Sequence, residues 1–158
     1  MLTAHLPAGY LTGRSLGAAG GAVMGAALAG SILPDFDMIW FHFVDHKAFH
    51  HHRYWVHAPG FWAITAAILL PLIRWRQPRL WAPAIAFFAA IFVHLILDSL
   101  AGSIMWLWPF DSTLYALVEV PPTHSHWVLS FLFQWTFLAE IAIWGAVLAL
   151  FFQRRPSV

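Results

Sequence analysis

Residues 80–100 read LWAPAIAFFAAIFVHLILDSL. A helix that crosses the hydrocarbon core of a bilayer needs about 20 mostly apolar residues, and this stretch meets that need alone. Near its end stand His94 and Asp98. Four residues apart, they share one face of a helix. An ionisable pair inside a membrane span is expensive and is a functional candidate by default. The blander reading is a buried His–Asp hydrogen bond that holds helices together.

The rest of the chain is built to match. Of 158 residues, 61% are hydrophobic, 17% aromatic and only 9% charged, with a mean hydropathy of +0.70. Soluble domains carry roughly 25% charged residues, so this chain is expected to sit in lipid as one domain, residues 1–158. A formal charge of +1 offers no basic field for nucleic acid. Cysteine is absent, so any metal must be held by nitrogen and oxygen from His, Asp and Glu.

Three further stretches qualify as spans to different degrees. Residues 127–152 are strongly apolar; residues 58–73 are shorter, with Phe61 and Trp62 at one end and Arg74 at the other. Residues 16–33 are weakly hydrophobic but uninterrupted by charge, and Gly17, Gly21, Gly25 and Ala29 fall four apart. Such a stripe lets helix backbones approach closely inside lipid. Arg14, the group Arg74, Arg76 and Arg79, and the pair Arg154 and Arg155 flank these spans. Basic residues accumulate on the cytoplasmic side. One topology satisfies all three groups: an all-α, polytopic membrane helical bundle of about four transmembrane helices. It leaves residues 34–57 and 101–126 together on the extracytoplasmic face.

Those two connections hold the scarce polar residues. Asp35 and Asp37 follow Pro34, where they could converge on a cation in a turn or simply cap a following helix. His50, His51, His52, Arg53 and His57 come next. Neutral imidazole is the commonest metal ligand, although a histidine-rich loop can also be an incidental weak binder. Asp111, Glu119, His124 and His126 are looser: they could complete a second metal shell or gate the site, and they read best as wet loop residues. Glu140 falls inside the last span, as a packing residue or a functional one.

Taken in order, Ala4-His5-Leu6, LPDFD at 33–37, HHRYWVH at 51–57, HLILD at 94–98 and WPF at 108–110 give a recognisable pattern. It resembles the membrane-bound metal-dependent hydrolase family, the YdjM-like bacterial inner-membrane proteins, over most of the chain up to about Phe110. The resemblance implies metal ligands at His5, Asp35, Asp37, His52, His57, His94 and Asp98, and a place in the bacterial inner membrane. Val56 and Ala58 stand where the family often carries Thr and Ser, and Ala4 replaces the usual Thr. A fainter similarity, in an N-terminal His with scattered Asp and His, is to all-helical zinc-dependent phospholipases C. His5 reaches the other ligands only if the N-terminal residues fold back as a short helix that turns near Gly13 and Arg14.

A mixed nitrogen and oxygen set suits a divalent metal, zinc best, with manganese, iron or magnesium as alternatives. Seven ligands exceed one tetrahedral ion, so one or two ions are expected. A bound cation lowers the pKa of its water from 15.7 toward about 7. With no serine motif and no cysteine, that water is the nucleophile the sequence offers. Arg53 would anchor an anionic head group, and His51 or His126 would shuttle the proton. The position at a membrane face implies hydrolysis of a lipid or a lipid-linked phosphate. Other classes remain: a metal-ion transporter using His94, Asp98 and Glu140, a haem-binding cytochrome, or a protein whose metal is only structural.

Overall fold

The computed structural model describes residues 3–17 and 21–153. Residues 18–20 of the expected first span, and Arg154 and Arg155 of the charge pattern, lie outside the described residues. What is described is helical: α1 (His5–Ser15), α2 (Gly21–Ile32), α3 (Asp37–Phe43), α4 (Pro59–Arg76), α5 (Trp81–Asp98), α6 (Trp127–Leu132) and α7 (Phe137–Phe152). No strand occurs among the described residues. One isolated antiparallel bridge joins Ile104 to Tyr115, with reciprocal N–H···O bonds of 2.9 Å.

The apolar stretch 80–100 forms α5. With the turn before it, the helix covers Pro78–Asp98, 21 residues that are long and apolar enough to cross a membrane. It is the only such single helix among the described residues. A second span is available if α2 and the Pro34–Phe43 segment, bent by 47° at Leu33, are counted as one. The expected span at 127–152 is broken. Residues 133–136 (FQWT) separate α6 from α7, leaving α7 with 16 residues, about 24 Å at 1.5 Å per residue. α4 carries Pro71 within it, and Arg74 and Arg76 in its last turn.

The glycine stripe expected on a continuous helix over 16–33 does not form. Gly17 has φ +81°, the left-handed conformation that glycine adopts at helix ends without Cβ strain, and it terminates α1. Its N–H donates to the Arg14 carbonyl at 3.1 Å. Gly25 has open space where a Cβ would be. Close packing uses other small residues instead. Ala27 clusters with Ala86 and Ala90 of α5, and a Cβ on Gly30 would lie 2.3 Å from the Phe87 carbonyl oxygen. In lipid, where apolar side chains gain little by leaving their surroundings, such backbone proximity drives helix association.

Contacts set the helix directions. Gly9 lies against Ser31 and Gly13 against Met24, so α1 and α2 form an antiparallel hairpin. Trp62 and Ala66 of α4 pack on Phe88, Ile91 and Leu95 of α5. α2 and α5 therefore end where α1 and α4 begin. That shared end carries the histidines. Arg79 lies 15 residues before His94 on the α5 side, about 22 Å away along a helix axis, and Arg14 lies at the opposite end of α1 from His5.

Candidate metal centre

Helix geometry presents α5's last turn to this shared end, with His94 and Asp98 at 1% and 2% exposure. His94 Nδ1 stands 2.8 Å from the Ser31 carbonyl oxygen at the end of α2. A carbonyl only accepts, so Nδ1 carries the proton. In a neutral ring, Nε2 then holds a lone pair. That lone pair faces Asp98 Oδ2 at 3.0 Å and Asp35 Oδ1 at 3.7 Å.

α1 delivers His5 to the same place. Its Nε2 lies 3.1 Å from Asp98 Oδ1, and its ring stacks on His94 with centroids 3.8 Å apart. The expected fold-back of the N-terminal segment is thus present. The turn falls at Gly17, a few residues beyond Gly13 and Arg14.

The long connection supplies the third side. Two short 3-10 turns, His51–Arg53 and Trp55–His57, direct His52 and His57 inward, while Arg53 stays exposed. The Trp62 indole N–H donates to the Val56 carbonyl at 2.8 Å, which fastens the second turn to α4. His52 repeats the pattern of His94: Nδ1 meets the Ser103 carbonyl at 2.9 Å, and Nε2 faces Asp98 Oδ2 at 3.8 Å. His57 lies between two carboxylates, with Nδ1 3.0 Å from Asp37 Oδ2 and Nε2 3.6 Å from Asp98 Oδ2. Burial pushes the His52 pKa down to about 2, against a smaller upward pull from Asp98.

Two ligand groups emerge. His5, Asp35, His94 and Asp98 form one, and His51, His52 and His57 the other; in each group the ligand atoms lie within 4.8 Å of one another. Asp98 touches both. Donors about 2.0–2.2 Å from a tetrahedral ion stand roughly 3.3–3.6 Å apart, and the observed separations straddle that value. Buried His57 Nδ1 and Nε2, His94 Nε2 and both Asp37 oxygens make no aligned hydrogen bond among the described residues. Buried polar atoms normally have partners. A cation among these imidazoles and carboxylates would satisfy them together, so the residues fit a divalent metal.

Six of the seven expected ligands fall in these groups. Asp37 stands outside both, behind His57 and 3.8 Å from His51 Nδ1. His51, expected as a proton carrier, joins a ligand group. His126 is exposed and caps α6, its Nδ1 accepting from the Val128 N–H at 3.3 Å. It takes no part in the ion pairs and ring contacts of the cluster. Asp111 accepts from Thr113 and Tyr115, and the His124 N–H donates to Ser130 Oγ. Both are local loop contacts.

An all-helical chain with a membrane-capable helix and a buried His/Asp cluster at one end defines a class: a helical membrane protein with a candidate metal centre. The chain belongs to the YdjM inner membrane protein family, whose model matches residues 1–156. No curated protein and no solved structure matches it.

Proposed function

We propose that this inner-membrane protein is a metal-dependent hydrolase of lipid or lipid-linked phosphoesters. The observation that carries the reading is the opposition of His94 Nε2 to Asp98 and Asp35. With Nδ1 committed to the Ser31 carbonyl, the neutral ring turns its Nε2 lone pair toward Asp98 Oδ2, 3.0 Å away. A neutral histidine whose second nitrogen is held by a backbone carbonyl is the usual posture of a metal ligand. Zinc suits the imidazole-rich set best, and the two groups sharing Asp98 suit a pair of ions. A bound divalent cation supplies an acidified water and compensates charge on a phosphoryl oxygen.

Exposure favours catalysis over a purely structural metal. Structural sites are closed, whereas catalytic sites keep an open position. The Asp35 side chain is 41% exposed, while those of His94 and Asp98 are at 0% and 3%, so the cluster opens at one edge. Beside it, exposed Arg53 is suited to meet an anionic head group. The arginine-bearing helix ends lie away from the cluster, which supports an extracytoplasmic site and a multi-pass bundle in which α4 and α7 accompany α5. Burial of His5, His52, His57 and His94 favours a second reading, a metal that only staples the helices.

Incubating purified protein with radiolabelled phospholipid and labelled lipid diphosphate, with and without chelator, tests the first reading. Product release that stops with chelator and returns with zinc is expected. Turnover unchanged by complete metal removal would reject it. A metal that raises thermal stability without any turnover would favour the staple.

A further inference from the structure

His5 is the first residue of α1, and the first turn of a helix leaves backbone N–H groups without intrahelical partners. No side chain caps the first turn of α1, so something else must hold it. The tie is on α7. Glu140, 1% exposed, receives the Thr3 N–H at 3.1 and 3.2 Å on its two oxygens. It also receives the Thr3 hydroxyl at 2.9 Å. One helical turn further along, the Trp144 indole N–H donates to the same Thr3 oxygen at 3.1 Å. Beside this contact, Ala4 and Ala8 pack on Leu97, with Val93, Leu100 and Ile143 around them.

We infer that Glu140 is a positioning residue for the metal centre, gripping Thr3 and so setting where His5 meets Asp98 and His94. Three considerations carry it. A buried carboxylate is costly unless it is paired and hydrogen-bonded, and Glu140 is 1% exposed. Among the described residues, α7 contributes no member to either ligand group, so Glu140 acts at a distance from the ligands. Thr3 precedes His5 by only two residues, leaving little chain to absorb any loosening. This inference rests on the metal reading above.

Zinc affinity of the purified full-length protein in detergent tests it, measured by competition with a chromophoric chelator. The set comprises wild type, His5→Ala, Glu140→Ala, Glu140→Gln, Thr3→Val and the double variant of His5→Ala with Glu140→Ala. His5→Ala, which removes a ligand, is expected to weaken zinc by about tenfold or more, at least as much as the loss of an outer partner costs. Glu140→Ala is expected to match it, and the double variant to be no weaker than either single one. Glu140→Gln keeps an acceptor oxygen for Thr3 and is expected to stay near wild type. Thr3→Val is expected to weaken zinc in the wild-type background and to change nothing alongside His5→Ala. Should Glu140→Ala fail to fold, the Thr3→Val pair decides the question alone. Effects of Glu140→Ala and His5→Ala that multiply in the double variant would overturn the inference. So would wild-type affinity in Glu140→Ala, in Thr3→Val or in His5→Ala. A wild-type protein that binds no zinc would instead reject the metal reading itself.

Discussion

Asp37 stands directly behind His57, its Oδ2 3.0 Å from Nδ1 and on the ring edge away from Asp98. Metal-ligating histidines are oriented by such carboxylates, and losing one costs about 10–100-fold in metal affinity. Asp37→Asn keeps the shape and removes the charge. Its zinc affinity is expected to fall within that range while its helical circular dichroism stays unchanged. Affinity equal to wild type would mean that His57 needs no orienting partner.

Burial of His52 makes stability depend on pH in a definite direction. Unfolded, its pKa is 6.5; folded, desolvation brings it down to about 2, with Asp98 pulling up and His57, His51 and His50 pushing further down. Above pH 6.5 both states are neutral and the group contributes nothing. Between about 6.5 and 2 the unfolded chain holds a proton that the folded one refuses, so metal-free stability falls with falling pH. The midpoint of thermal unfolding, compared at pH 7.5 and 5.5 without metal, is expected to drop further in wild type than in His52→Gln. Equal drops would contradict this.

His51 and His126, both expected from sequence as proton carriers, now separate. His51 belongs to a ligand group, whereas His126 accepts from the Val128 N–H at the start of α6. Losing a helix cap costs about 0.5–2 kcal/mol. His126→Ala is therefore expected to lower stability by about 1 kcal/mol or less, given its 3.3 Å exposed contact, and to leave zinc content unchanged. His51→Ala is expected to lower zinc affinity with little loss of stability in the metal-free protein.

The crossing of α2 and α5 sits directly beneath the cluster. A methyl group on Gly30 would come within 2.3 Å of the Phe87 carbonyl oxygen, and Ser31, next in the chain, holds His94. Overpacking costs typically about 1–3 kcal/mol. Gly30→Ala is expected to lose that much stability in denaturant titration and to weaken zinc binding as well. Gly25→Ala, which meets open space, is expected to do neither.

The ligand chemistry was more legible than the helix boundaries. His94 and Asp98 announce themselves because polar pairs are rare in apolar spans, and the one helix that surrounds them is the one that meets the length of a membrane. The break at residues 133–136 was hidden because mean hydropathy registers how apolar a stretch is and not whether its helix is continuous. The glycine spacing misled for a related reason. A four-residue period implies one face only on an unbroken helix, and Gly17 ends α1 instead. His5 required a fold-back that sequence could state as a condition, and α1 supplies it. The grip of Glu140 on Thr3, 137 residues apart, has no local signature at all.

His5, Asp35, His94 and Asp98 are expected to surround one ion. Metal content per chain, measured on protein purified with zinc and then dialysed, tests it most directly, with Asp98→Asn and His94→Ala beside the wild type. One or two zinc ions in the wild type, falling by at least one in each variant, is the expected result. Full zinc content in both variants, or a folded wild type holding none, would contradict it.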